Sequence, residues 1–174
     1  MAVFKTAAFD LSATPPAPVS VAIAAAGRSS LRLPYSATMN ALLIGCSDGR
    51  ISARLDALLR EVGAPDANRL LVPGGALPLT RPGAERRVAL DCIREIVDVH
   101  DVRVIYLVSH QECAAYERAL GGLGFDQKEL LERDLRRVKT LLETNFPGVD
   151  VRSYVIPWRE DGGGAAYGPA APVD

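Results

Sequence analysis

Ala41-Leu42-Leu43-Ile44-Gly45-Cys46-Ser47-Asp48-Gly49-Arg50 is the stretch on which the fold turns. Its first residues are apolar without alternation, which reads as a strand buried on both faces. The run ends at a cysteine and a polar turn. Beyond it, Ile51, Leu55, Leu58, Leu59 and Val62 recur at helical spacing until Gly63, a usual helix stop.

Working outward, the same alternation repeats. Arg69 to Val72 is a second short strand, halted by Pro73-Gly74-Gly75. A helix from about Ala84 to His100 turns Ala89, Ile93, Ile96 and Val97 to one side. Val102 to Ser109, with the apolar run Val104 to Val108, reads as a central strand. A long helix from about Asp126 to Asn145 faces inward through Leu131, Leu135, Val138 and Leu142, and Val151 to Ile156 is the last strand. Strands alternating with helices predict an α/β fold: a mainly parallel central sheet flanked by helices. The expected organisation is a proline- and alanine-rich arm over residues 1–38, one α/β domain over 39–160, and a loose tail over 161–174 that holds Gly162-Gly163-Gly164.

Composition narrows the functional classes. The 174 residues suit one domain able to bury a core without disulfides. Lys and Arg number 20 against 21 Asp and Glu, so no charge excess points to nucleic acid or a membrane surface. No apolar run is long enough to span a bilayer, and Asp10 interrupts any signal-peptide core. Three cysteines cannot all pair with one another. The expectation is a cytoplasmic protein using its cysteines for metal or thiol chemistry.

Cys46, His110 and Cys113 carry that chemistry. Two thiolates and an imidazole are a normal set of zinc ligands, and a catalytic zinc keeps its fourth position open. In open parallel sheets, ligands bind beyond the carboxyl ends of the strands. Cys46, Gly74-Gly75 and His110 each follow a strand directly, so three separate segments deliver special residues to one edge. Cys113 is expected at the start of a short helix, whose positive end favours a thiolate. Asp48 and Arg50 lie beside the first ligand. Arg50 can orient Asp48 and keep it ionised. Asp48 could then accept a hydrogen bond from activated water, or swing and bind the metal itself. Gly74 and Gly75 read equally well as a plain turn or as room and exposed N–H groups for a small substrate. Cys92 is read as core packing, and His100 as a helix-end charge partner. Only three residues separate Cys46 from Arg50, too few for the anion-cradling loop of cysteine-dependent phosphatases.

From Leu43 to Arg50 the sequence resembles the C-x-D-x-R motif of the β-class carbonic anhydrases. His110-x-x-Cys113 is similar to that family's second zinc motif, and Pro73-Gly74-Gly75 falls where the family has a glycine-containing active-site turn. The resemblance covers about Met39 to Ile156. It implies zinc held by Cys46, His110 and Cys113, and Asp48 and Arg50 as the orienting dyad. It further implies a homodimer or higher oligomer and reversible hydration of carbon dioxide to bicarbonate. The same chemistry could serve carbonyl sulfide or carbon disulfide, or a silent member could keep zinc without turnover. Ala114 stands where the family usually has glycine, and few aromatics are available to wall a pocket.

Overall fold

Strand β1 (Ala41–Cys46) is buried along its whole length, with Leu42 and Leu43 fully enclosed. This computed structural model describes residues 40–120, 126–161 and 164–174; the arm expected over 1–38 lies outside them. β2 (Asn68–Val72), β3 (Val104–His110) and β4 (Asp150–Ile156) join β1 in the order β2-β1-β3-β4, all parallel. Burial on both sides explains why β1 and β3 read as unbroken apolar runs.

Helix α1 (Ser52–Glu61) follows a single tight turn at Gly49–Ile51 and buries Leu55, Leu58 and Leu59. The short α2 (Leu77–Thr80) leaves the Gly74-Gly75 turn, and α3 (Ala84–His100) follows. α4 (Ala114–Leu120) starts directly after Cys113. α5 (Gln127–Asn145) is capped by Asp126, whose carboxylate accepts from Lys128 N–H at 2.8 Å. Its buried stripe of Leu131, Leu135, Val138 and Leu142 packs on β3 and β4. No helix among the described residues is long and apolar enough to cross a membrane.

Two expectations are corrected. The end of the chain is not a loose tail: β5 (Trp158–Asp161) pairs antiparallel with β6 (Gly164–Tyr167). β7 (Ala171–Val173) then closes the open edge of β4, also antiparallel. An unpaired edge leaves a row of N–H and C=O groups unsatisfied, and β7 covers it. Glycine content hid the burial of Tyr167 and Val173. Cys92 is exposed, not core. Ile93 is the buried residue of α3, and adjacent helical positions point about 100° apart, so Cys92 turns outward.

Candidate metal centre

The parallel sheet sets the site. In register, Cys46 lies opposite Val72 on β2, and His110 lies opposite Ile156 on β4. The carboxyl ends of β1, β2 and β3 therefore open on one edge. The Sγ atoms of Cys46 and Cys113 and a ring nitrogen of His110 all lie within 4.8 Å of one another, and all three residues are buried. This is the one such group among the described residues.

The donor set fits zinc on three counts. The two sulfurs are 3.9 Å apart; two tetrahedral zinc–sulfur bonds of about 2.3 Å would place them about 3.8 Å apart. His110 Nδ1 donates to the Gln111 carbonyl at 2.7 Å. A carbonyl can only accept, so the proton sits on Nδ1 and Nε2 keeps its lone pair. Nε2 is buried beside the thiols with no hydrogen-bond partner among the described residues, as a ligand atom would be.

Electrostatics favour a thiolate at Cys46. The Cys113 thiol, His110 and the backbone N–H groups of Asp48 and Gly74 lower its pKa and outweigh burial. The Gly74 N–H reaches its Sγ at 3.3 Å. The same pairing with Cys46, together with burial, raises Cys113. The opposite shifts disfavour two thiolates side by side, and a divalent metal would offset that by favouring loss of both protons.

The glycine turn presses against this centre. A Cβ on Gly75 would come within 2.8 Å of the Val108 carbonyl oxygen and 3.1 Å of the Cys46 nitrogen. One on Gly74 would meet the Leu77 Cβ at 2.7 Å. Both have positive φ, 58° at Gly75 and 79° at Gly74. Protein atoms fill the space left by the missing side chains. The turn therefore serves to approach Cys46 closely and donate to its sulfur.

Asp48 and Arg50 form the expected pair. Arg50 Nε and Nη2 reach Asp48 Oδ2 at 3.0 and 2.6 Å, and Nε reaches Oδ1 at 3.1 Å. Arg50 N–H adds a 2.9 Å bond to Oδ1, so Asp48 also caps the turn that precedes α1. These bonds hold the Asp48 carboxyl down at about 2. Arg50 Nη2 also donates to the Glu112 carbonyl at 3.0 Å, tying the first motif to the loop between His110 and Cys113. Glu112 takes φ 54°, and its N–H is caught by Gln127 Oε1 at 2.5 Å.

Four supporting residues escaped the sequence reading. Gln111 Oε1 accepts from Trp158 N–H at 2.8 Å, fastening β5 to the second motif. Tyr167 meets the His110 ring edge-on at 5.4 Å, Trp158 meets Tyr167 at 4.8 Å, and the Arg50 guanidinium lies 5.7 Å from the Tyr167 ring centre. The terminal hairpin thus supplies the aromatic wall that composition had seemed to deny. Gln127, at the start of α5, holds Glu112. The sole tryptophan, placed just after the last expected strand, was the available signal.

No family model matches the chain. It is 25% identical to an uncharacterized protein of Rickettsia bellii, covering 66% of this chain and 74% of the relative. An uncharacterized protein of Rickettsia conorii matches at 25% identity over 66% of each chain. Among solved structures, it is similar to a carbonic anhydrase from Streptococcus mutans at 18% identity and TM-score 0.47, covering 79% and 82% of the two chains. It is also similar to tetrameric β-carbonic anhydrases of Sordaria macrospora, at 16% and 0.45 over 69% and 76%. A carbon disulfide hydrolase matches at 13% and 0.44, over 69% and 74%.

Proposed function

We propose that this chain is a zinc-dependent, cytoplasmic enzyme that reversibly hydrates carbon dioxide to bicarbonate. The observation that carries the reading is one buried Cys–His–Cys set with a carboxylate beside it locked by an arginine. Cys46, His110 and Cys113 would hold the metal, three protein ligands as in catalytic zinc sites. When bound, zinc supplies a Lewis acid that lowers the pKa of water from about 15.7 toward about 7.

Asp48 does the positioning. Ionised and held by Arg50, it accepts a hydrogen bond from a water O–H in the cleft and fixes where that oxygen's lone pair points. While it stays bonded to Arg50 it is unavailable as a fourth metal ligand. Tyr167 and Trp158 wall one side, limiting water around a small, apolar, linear substrate. Gly74 and Gly75 wall the Cys46 side. In the net reaction a water oxygen adds to the carbon of carbon dioxide and one proton leaves to solvent. A homodimer or higher assembly belongs to the same proposal, as the motif resemblance implies.

Stopped-flow carbon dioxide hydration by the zinc-loaded protein tests the reading. Wild type turns over, while Asp48→Ala and Arg50→Ala keep zinc and lose most activity. Full activity in both variants refutes the dyad's role. Sulfide release from carbonyl sulfide or carbon disulfide, without bicarbonate formation, reassigns the substrate. Zinc binding with no turnover on any of the three refutes catalysis.

A further inference from the structure

α2, α4 and α5 line an open polar pocket that the proposed reaction leaves unused. It measures about 130 Å³ and is lined by Arg81, Tyr116, Arg133, Asp134 and Arg137. An adjoining lobe of about 120 Å³ shares Thr80 and Arg137 with it and adds Arg86. Four guanidiniums and one carboxylate therefore line the two lobes together, an excess of three positive charges if Asp134 is ionised.

Hydrogen bonding is equally one-sided. Arg133 approaches Asp134 only at 3.6 Å, and Arg81 spends a long 3.4 Å bond on the Ala119 carbonyl. Arg86 and Arg137 have no ion pair among the described residues. Among the described residues, Arg86 Nε is buried without an acceptor, and the hydroxyl of Tyr116, a residue only 1% exposed, has no partner at full hydrogen-bond geometry, with Ser109 its polar neighbour. Buried donors left unmatched are costly, so this cluster calls for something rich in acceptors and negative charge. Guanidinium forks match the geometry of tetrahedral oxyanions. Burial raises the Asp134 carboxyl, which weakens the single opposing charge.

We propose that this two-lobed cavity binds an oxyanion of the phosphate class, gripped by Arg81, Arg133 and Arg137 with Arg86 and Tyr116 behind them. The source is either free phosphate or the phosphate groups of a small molecule, and the two lobes favour a diphosphate over a monophosphate. The inference stands apart from the metal chemistry, since none of these groups is a candidate metal ligand.

The test is isothermal titration of the full chain with inorganic phosphate and with pyrophosphate, each at ionic strength matched with sodium chloride. Pyrophosphate is expected to bind more tightly than phosphate. Arg137→Gln, which faces both lobes, weakens binding roughly tenfold or more, the scale of one lost charge-assisted bond. Arg103→Gln, an exposed arginine paired with Asp101, leaves it unchanged. Equal binding of the two anions supports a site for one free oxyanion. Absence of binding overturns the proposal. So does binding that survives Arg137→Gln, the result expected if the anion sat on the metal instead. Arg137 is exposed, so its replacement leaves the core intact.

Discussion

Gly75→Ala should damage both the fold and the metal site, and two other glycines calibrate by how much. Gly49 has no positive φ and nothing within 4 Å of where a Cβ would stand. Alanine there costs nothing and gains a few tenths of a kcal/mol from a less flexible unfolded chain. Gly63, just past α1, has φ 73° and the same open space. Its replacement isolates the left-handed backbone cost, about 1 kcal/mol. Gly75 combines φ 58° with contacts at 2.8, 3.1 and 3.2 Å, all to backbone atoms of β3 and β1. Strand backbone in a parallel sheet cannot rotate away as a side chain can, so overpacking of about 1–3 kcal/mol adds to the conformational cost. The expected loss is about 2–4 kcal/mol. Urea unfolding of the reduced, metal-free protein measures it, with Gly49→Ala and Gly63→Ala alongside. Zinc affinity should fall in Gly75→Ala alone, because its nearest neighbours include the Cys46 nitrogen. If Gly75→Ala costs no more than Gly63→Ala and binds zinc normally, the turn does not press on Cys46 and the reasoning fails.

Replacing Cys46 or Cys113 by Ser, or His110 by Ala, should abolish stoichiometric zinc binding measured by elemental analysis after gel filtration. Retention of one zinc per chain in any of them would remove that residue from the set. The Asp48 carboxyl lies at about 2, below the ordinary carboxylate value of about 3.9. Its stabilising contribution is therefore present above about 3.9 and disappears as pH falls through about 2. In Arg50→Ala, NMR titration should find the Asp48 carboxyl back in the usual range; an unmoved value would mean another group holds it down. Tyr167→Phe removes a buried hydroxyl with no partner among the described residues and should leave stability unchanged or raise it by about 1 kcal/mol. Tyr167→Ala empties an aromatic site 7% exposed and should cost about 3 kcal/mol in thermal or urea unfolding. Similar losses in both variants would show that the hydroxyl, not the ring, does the packing.

What the sequence reveals here follows from how local each signal is. β1, β3 and α5 are legible because continuous burial and a helical stripe are written in consecutive residues, as in Leu42 to Ile44 and Leu131 to Leu142. Cys46 and His110 are legible because parallel topology sends the carboxyl end of each strand to the same edge, and Cys113 because it follows His110 by three residues. Cys92 misleads because one step along a helix separates the core from solvent. The terminal hairpin is harder for a different reason. Its strands are short, contain glycine, and bury little of themselves in isolation, so neither period nor composition marks them. Their pairing is justified by what they meet: β7 covers the bare edge of β4, and Tyr167 settles between His110 and Arg50. Both contacts join segments far apart in the chain. The candidate metal ligand His110 and Arg50, which holds Asp48, thus share a wall built from Tyr167. Shortening the chain before Trp158 should therefore disturb metal binding as well as the sheet edge.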